Sequence, residues 1–428
     1  MKEATLIQRA ISKVSGAEPR EAKALAWGFC WFFFLLLGYY VLRPVRDAFG
    51  ASGGIDRLKW LFTGTFAVML CAAPLYSALV ARVGRQRLVR ISYRFFALNL
   101  ILFWLSLKTG GVFLDFAKGC YFIWVSVFNL FVVSIFWSCQ AEIFSSAQGR
   151  RLFGFLAAGG TLGGLCGGLI AKELPTLVGT ANLLLIPAVL LEVCLLFVRR
   201  FNREAEELGI ARSEGSELAS EGTGGSIFEG VSATFRSPYL TTIACYTLCM
   251  ALLGTSVYFR RAEILKGATS SDEQLIEFFS KLEIWTTIAT FLIQAFLTAR
   301  LLRWIGVAAT LCILPVIYAA GWGALGVAST VGVIAVFDVA RRAGAYAITS
   351  PARQVLFTSL TRTQKYKAKS FLDTAVFRGG DAAAAHAFGG PLMTALVPIA
   401  LVWAWVGHRA GRMHRALSGA PEKPGATD

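Results

Sequence analysis

The chain predicts an all-α polytopic membrane protein, with twelve transmembrane helices in two pseudo-symmetric six-helix bundles. Of its 428 residues, 56% are hydrophobic, and the mean hydropathy is +0.59, above the range of soluble domains. Charged residues make up 16% and gather between apolar runs. The runs fall at about 24–49, 58–81, 88–107, 113–143, 152–174, 182–199, 239–259, 280–299, 305–321, 324–348, 369–388 and 390–407. Each is near the ~20 residues an α-helix needs to cross a bilayer. The longest polar stretch, 200–236, separates the sixth run from the seventh. Its Glu204, Glu206, Glu207 and Gly222-Thr223-Gly224-Gly225-Ser226 read as a flexible linker.

The expected organisation is an N-terminal segment (1–23), a first bundle (24–199), the linker (200–236), a second bundle (237–407) and a tail (408–428). The net charge of +16 would suggest nucleic acid in a soluble protein. Here it matches the excess of Lys and Arg in cytoplasmic loops, and no basic patch with interleaved aromatics lies outside the runs, so nucleic acid is not expected as a partner. Lys2, Arg9, Lys13, Arg20 and Lys23 share one side with Arg85 and Arg87, with Arg300 and Arg303, and with Arg409, Arg412 and Arg415. Both termini are therefore expected in the cytoplasm, in a bacterial-type inner membrane. Leu6, Ile7, Ala10, Ile11 and Val14 would share one helical face, which reads either as an amphipathic surface helix or as a charged tail. Ala24–Leu42 is too long for the apolar core of a signal peptide, and none is expected.

The first run ends in Arg43-Pro44-Val45-Arg46-Asp47. Ionisable groups at such a place are functional candidates, because their desolvation is costly. Between runs two and three stands Arg82-Val83-Gly84-Arg85, similar to the Arg-x-Gly-Arg core of the major facilitator loop motif, with its glycine expected to permit a tight turn. Run four ends in Gln140-Ala141-Glu142. Run five carries Gly159, Gly160, Gly163, Gly164, Gly167 and Gly168, two interleaved GxxxG ladders that predict close approach of another helix. Run seven ends in Arg260-Arg261-Ala262-Glu263, an echo of run one that fits two related halves.

Near runs ten and eleven stand Asp338, Arg341, Arg342, Arg353, Lys367, Lys369, Asp373, Arg378 and Asp381. These charges must line water or pair, and Arg378 with Asp381 and Asp338 with Arg341 or Arg342 have helical pair spacing. A site rich in Arg and Lys suits a small anionic substrate carrying phosphate or carboxylate. The nine cysteines show no metal-ligand spacing and no Ser/His/Asp set or phosphate loop occurs, so no cofactor, metal or enzymatic activity is expected.

Three blocks resemble the ATP/ADP translocase (nucleotide transporter) family: Leu42 to Asp47, Gln140 to Phe153, and Lys365 to Asp381. The resemblance implies a twelve-helix fold of the major facilitator type and nucleotide exchange. It implies a basic role for Arg46, an acidic role for Glu142, and a basic role for Lys367 or Lys369. The family's acid near helix seven or eight matches either Glu263 or Glu283. The expected substrate-binding residues are Arg43, Arg46, Asp47, Glu142, Arg260, Arg353, Lys367, Lys369, Asp373, Arg378 and Asp381. The reading is a secondary transporter of an organic anion, nucleotide being its sharpest form. A proton-coupled exporter of a hydrophobic or cationic compound and a non-transporting membrane helper remain as alternatives.

Overall fold

The computed structural model describes residues 18, 21–111, 113–144, 146–207, 234–268, 271–360, 368–369, 371–388 and 392–418. The 6–14 stretch, most of the linker and Lys367 lie outside them, as do the side chains of Glu142, Arg150 and Arg151. The chain divides into two compact units, Met1–Gly224 with Leu265–Thr287, and Gly225–Ile264 with Ile288–Asp428.

The helices are α1 Ala22–Ser52, α2 Gly54–Arg82, α3 Arg85–Thr109, α4 Leu114–Ile143, α5 Ser146–Glu173 and α6 Leu185–Glu207. They continue with α7 Pro238–Lys266, α8 starting at Asp272–Ile293, α9 Gly306–Val327, α10 starting at Val331–Gly344, α11 containing Phe377–Ala387, and α12 Leu392–Ser418. Among the described residues, α1 to α9 are long and apolar enough to cross a membrane.

The first unit is built around α1, which packs on α4, α5 and α6. Trp31 is fully buried and donates through Nε1 to the Tyr93 hydroxyl at 2.9 Å. The bond satisfies a polar atom that burial would otherwise leave costly. The α5 glycines face α1. A Cβ at Gly159 would sit 2.8 Å from the Phe29 carbonyl oxygen, and Cβ atoms at Gly163 and Gly167 would overlap the carbonyl oxygens of Phe33 and Leu37. The expected close approach is thus made by α1, backbone to backbone.

Two expectations are corrected. Gly84 has φ −56° and ψ 141°, a conformation open to any residue, and nothing lies within 4 Å of an added Cβ. Its backbone does not require glycine. The boundary between the ninth and tenth helices falls at 328–330, not 321–324. Gly321, Gly323 and Gly326 are helical, and Gly321 makes room for the Phe337 ring. The true start signal is Thr330, whose side chain accepts from the Val333 N–H at 3.3 Å.

Three helices of the second unit are interrupted by π turns: Gln294–Thr298 in α8, Ala345–Thr349 in α10 and Leu372–Val376 at the start of α11. Beyond their π turns, α8 continues as Ala299–Trp304 and α10 as Ser350–Leu356. In α10 the cause is visible in the sequence. Pro351 has no N–H to give the Ala347 carbonyl four residues earlier. Thr298 Oγ1 donates to that carbonyl instead, at 2.7 Å. Such turns recur at functional sites.

Candidate functional site

Two of these π turns wall a cavity of about 360 Å³ in the second unit. Ala345, Tyr346 and Thr349 come from the α10 turn and Asp373 from the α11 turn. Arg341 and Arg342 reach it from before the α10 turn and Arg353 from after it. Tyr318 of α9, with Met250 and Gly254 of α7, completes the wall.

The charges are ordered by burial. Asp338 is fully buried and gathers three guanidinium groups. Arg261 binds its Oδ2 at 2.6 Å, Arg341 binds Oδ1, and Arg342 stands 3.8 Å from Oδ2. Arg341 also donates to the Tyr318 hydroxyl at 3.3 Å. Nearer the opening, Arg353 pairs with Asp373 at 3.0 Å; the Arg353 side chain is 15% exposed and the Asp373 side chain 41%. Arg261, Arg341, Arg342 and Arg353 thus face Asp338 and Asp373, an excess of two positive charges. Removed from water, that excess is stabilised by an anion.

The remaining sequence-predicted residues of the second unit take several positions. Lys369 donates to Gln354 at 3.1 Å, one residue from Arg353. Arg378 pairs with Asp381 at 3.4 Å, and Thr255 of α7 donates to the other Asp381 oxygen at 2.7 Å. Both helically spaced pairs expected from the sequence are therefore made. Arg260 is held by Glu263 at 2.5 Å and by Ser329 at 2.9 Å, and does not line the cavity. Its neighbour Arg261 is the arginine that turns inward, over the Tyr258 ring. Arg341, Arg342 and Tyr318 were not singled out as site residues. The available signal was two adjacent arginines three and four residues after an aspartate in an otherwise apolar run.

In the first unit, Arg43, Arg46 and Asp47 stand together on α1. Arg43 pairs with Glu283 at 3.2 Å, and Glu283 is 2% exposed. Arg46 lies 3.9 Å from Asp47, with its guanidinium 4.5 Å from the Phe122 ring centre. Lys118 pairs with Asp272 at 2.7 Å.

No family model and no curated protein matches this sequence. Solved structures do. The nucleoside transporter NupG, in a point-mutant form, aligns with a TM-score of 0.59 at 12% identity, over 92% of this chain and 99% of its own. A bacterial homologue of the human lysosomal transporter Spinster, inward-facing and unoccupied, aligns with a TM-score of 0.55 at 13% identity, over 96% and 100%. The chain has the major facilitator fold. At these identities the likeness is one of fold, and it makes the protein a multi-pass, helical membrane protein. The major facilitator fold accounts for charged residues within spans, which in such bundles face the interior or water.

Proposed function

We propose that the protein is a secondary transporter of a small organic anion, working by alternating access. The observation that supports this best is the excess of arginine over carboxylate around a cavity in the second unit. Arg341, Arg342 and Arg353 neutralise the anion there. Guanidinium forks match phosphate and carboxylate oxygens in pairs. Asp373 holds Arg353 while the site is empty and gives it up when the anion arrives. In the first unit Arg43, Arg46 and Asp47 form a second charged group for the same task. Glu142, Lys367 and Lys369 join the reading through the family resemblance, as do Arg378 and Asp381 through their helix; Arg260 enters only through the echo of run one. Nucleotide exchange of the ATP/ADP type is the finest form of this proposal.

An exporter of cations would call for a cavity rich in acids. A helper without transport would call for charges that pair off and leave no space. The arginine excess and the cavity speak for the anion. The test is uptake by proteoliposomes of labelled ATP, ADP, inorganic phosphate and dicarboxylates, with and without trapped counter-substrate. Uptake of at least one anion is expected; correctly inserted protein that moves none of them would overturn the reading. Arg353→Gln should raise KM about 10- to 100-fold, the worth of a charge-assisted hydrogen bond of roughly 1.5–3 kcal/mol. An unchanged KM would remove Arg353 from the site.

A further inference from the structure

A second basic recess lies in the first unit, away from the Arg43 cluster. It is a cleft of about 220 Å³ between α3 and α6. Gln86 and Arg90 of α3 face Arg199, Asn202, Arg203 and Glu206 of α6 across it. Gln86 Nε2 donates to Glu206 Oε1 at 3.4 Å and ties the two helices at its mouth. Three arginines and one glutamate line it. One turn further along α3, Arg94 pairs with Glu192 at 3.4 Å.

The position of the cleft along the helices points to its occupant. On α3, Arg90 stands near the start of the apolar run (88–107), and on α6, Arg199 stands at the end of its run (182–199). The cleft therefore sits at the level where a bilayer changes from hydrocarbon to headgroup. From it, exposed apolar side chains continue along both helices: Ile91, Phe95, Leu98 and Leu102 on α3, and Leu196 and Val189 on α6. A soluble anion would have no use for that strip. A phospholipid uses both parts, its phosphate between the arginines and its acyl chains along the strip. Leu195 and Val198 floor the cleft where headgroup and chain meet.

We infer that this cleft binds one anionic phospholipid by its headgroup. Its three arginines favour an anionic headgroup over a zwitterionic one, and its volume admits a headgroup but not the chains. Basic recesses between helices at the membrane surface take such headgroups through their phosphates.

The test is native mass spectrometry of the detergent-purified full chain, given equal amounts of phosphatidylglycerol and phosphatidylcholine. Phosphatidylglycerol adducts are expected to exceed phosphatidylcholine adducts about tenfold or more. Arg90→Gln with Arg203→Gln should bring the two to parity, while Arg94→Gln, outside the cleft, should leave the preference intact. Arg90→Lys with Arg203→Lys keeps the charge and should keep most of the preference, which covers the case in which the neutral pair does not fold. Equal retention of both lipids by the unaltered chain would overturn the assignment, as would a preference that survives the neutral pair. Displacement of the lipid by millimolar glycerol phosphate would also overturn it, since the cleft would then be a site for soluble anions.

Discussion

Asp338→Asn is expected to lower stability by about 3–5 kcal/mol, the usual cost of breaking a buried ion pair by removing one partner. Asp338 lies within 4 Å of Arg261, Arg341 and Arg342 together, and two of those side chains are under 10% exposed. Asparagine can accept from one guanidinium but cancels no charge. Three positive groups would then share a space that water barely reaches. The measurement is the melting temperature in detergent, together with the fraction of protein that elutes as a single species. Asp338→Asn with Arg261→Gln should recover part of the loss, because the two changes remove a pair and not one partner. A melting temperature unaltered by Asp338→Asn would mean that other groups balance these arginines.

Gly163→Ala is expected to cost about 1–3 kcal/mol or more, the range of overpacked cores. The added methyl would overlap the Phe33 carbonyl oxygen, a backbone atom that no rotamer change can move. Helices α1 and α5 would have to separate. Because Gly159, Gly163 and Gly167 face carbonyl oxygens of Phe29, Phe33 and Leu37, all at four-residue spacing, the strain spreads along the whole seam. Helix α1 carries Arg43, Arg46 and Asp47, so the same change should disturb the charged end as well. Gly154→Ala on the same helix is the control. Nothing lies within 4 Å of its added Cβ, and the change should be neutral or slightly stabilising. If both variants melt together with the unaltered chain, the α1–α5 seam is looser than described.

The apolar runs, the glycine ladder and the pairs Arg378–Asp381 and Asp338–Arg341 were legible because each depends on spacing along one helix. What spacing cannot show is which residue of another helix comes opposite. Arg43 with Glu283, Arg261 with Asp338 and Arg353 with Asp373 each join helices whose relative rotation is set by packing. The inward turn of Arg261 and the outward turn of Arg260 follow from that rotation, and two adjacent arginines look alike in a sequence. The extension of α6 to Glu207 was also hidden. Its last turns carry Arg203 and Glu206, and read as linker because hydropathy falls before the helix ends.

The π turn of α10 is in effect a one-residue insertion. Arg341, Ala345, Thr349 and Arg353 recur every four residues, and at ~100° per residue an unbroken α-helix would carry Arg353 about 120° around the axis from Arg341. One extra residue absorbed by the wider turn takes back about 100°, so both arginines look into the same cavity. A plain helical wheel is out of phase for every residue after Thr349. Single-residue insertions or deletions between Ala345 and Thr349 would therefore act like point mutations of Arg353. They would leave each side chain's chemistry intact and aim it elsewhere.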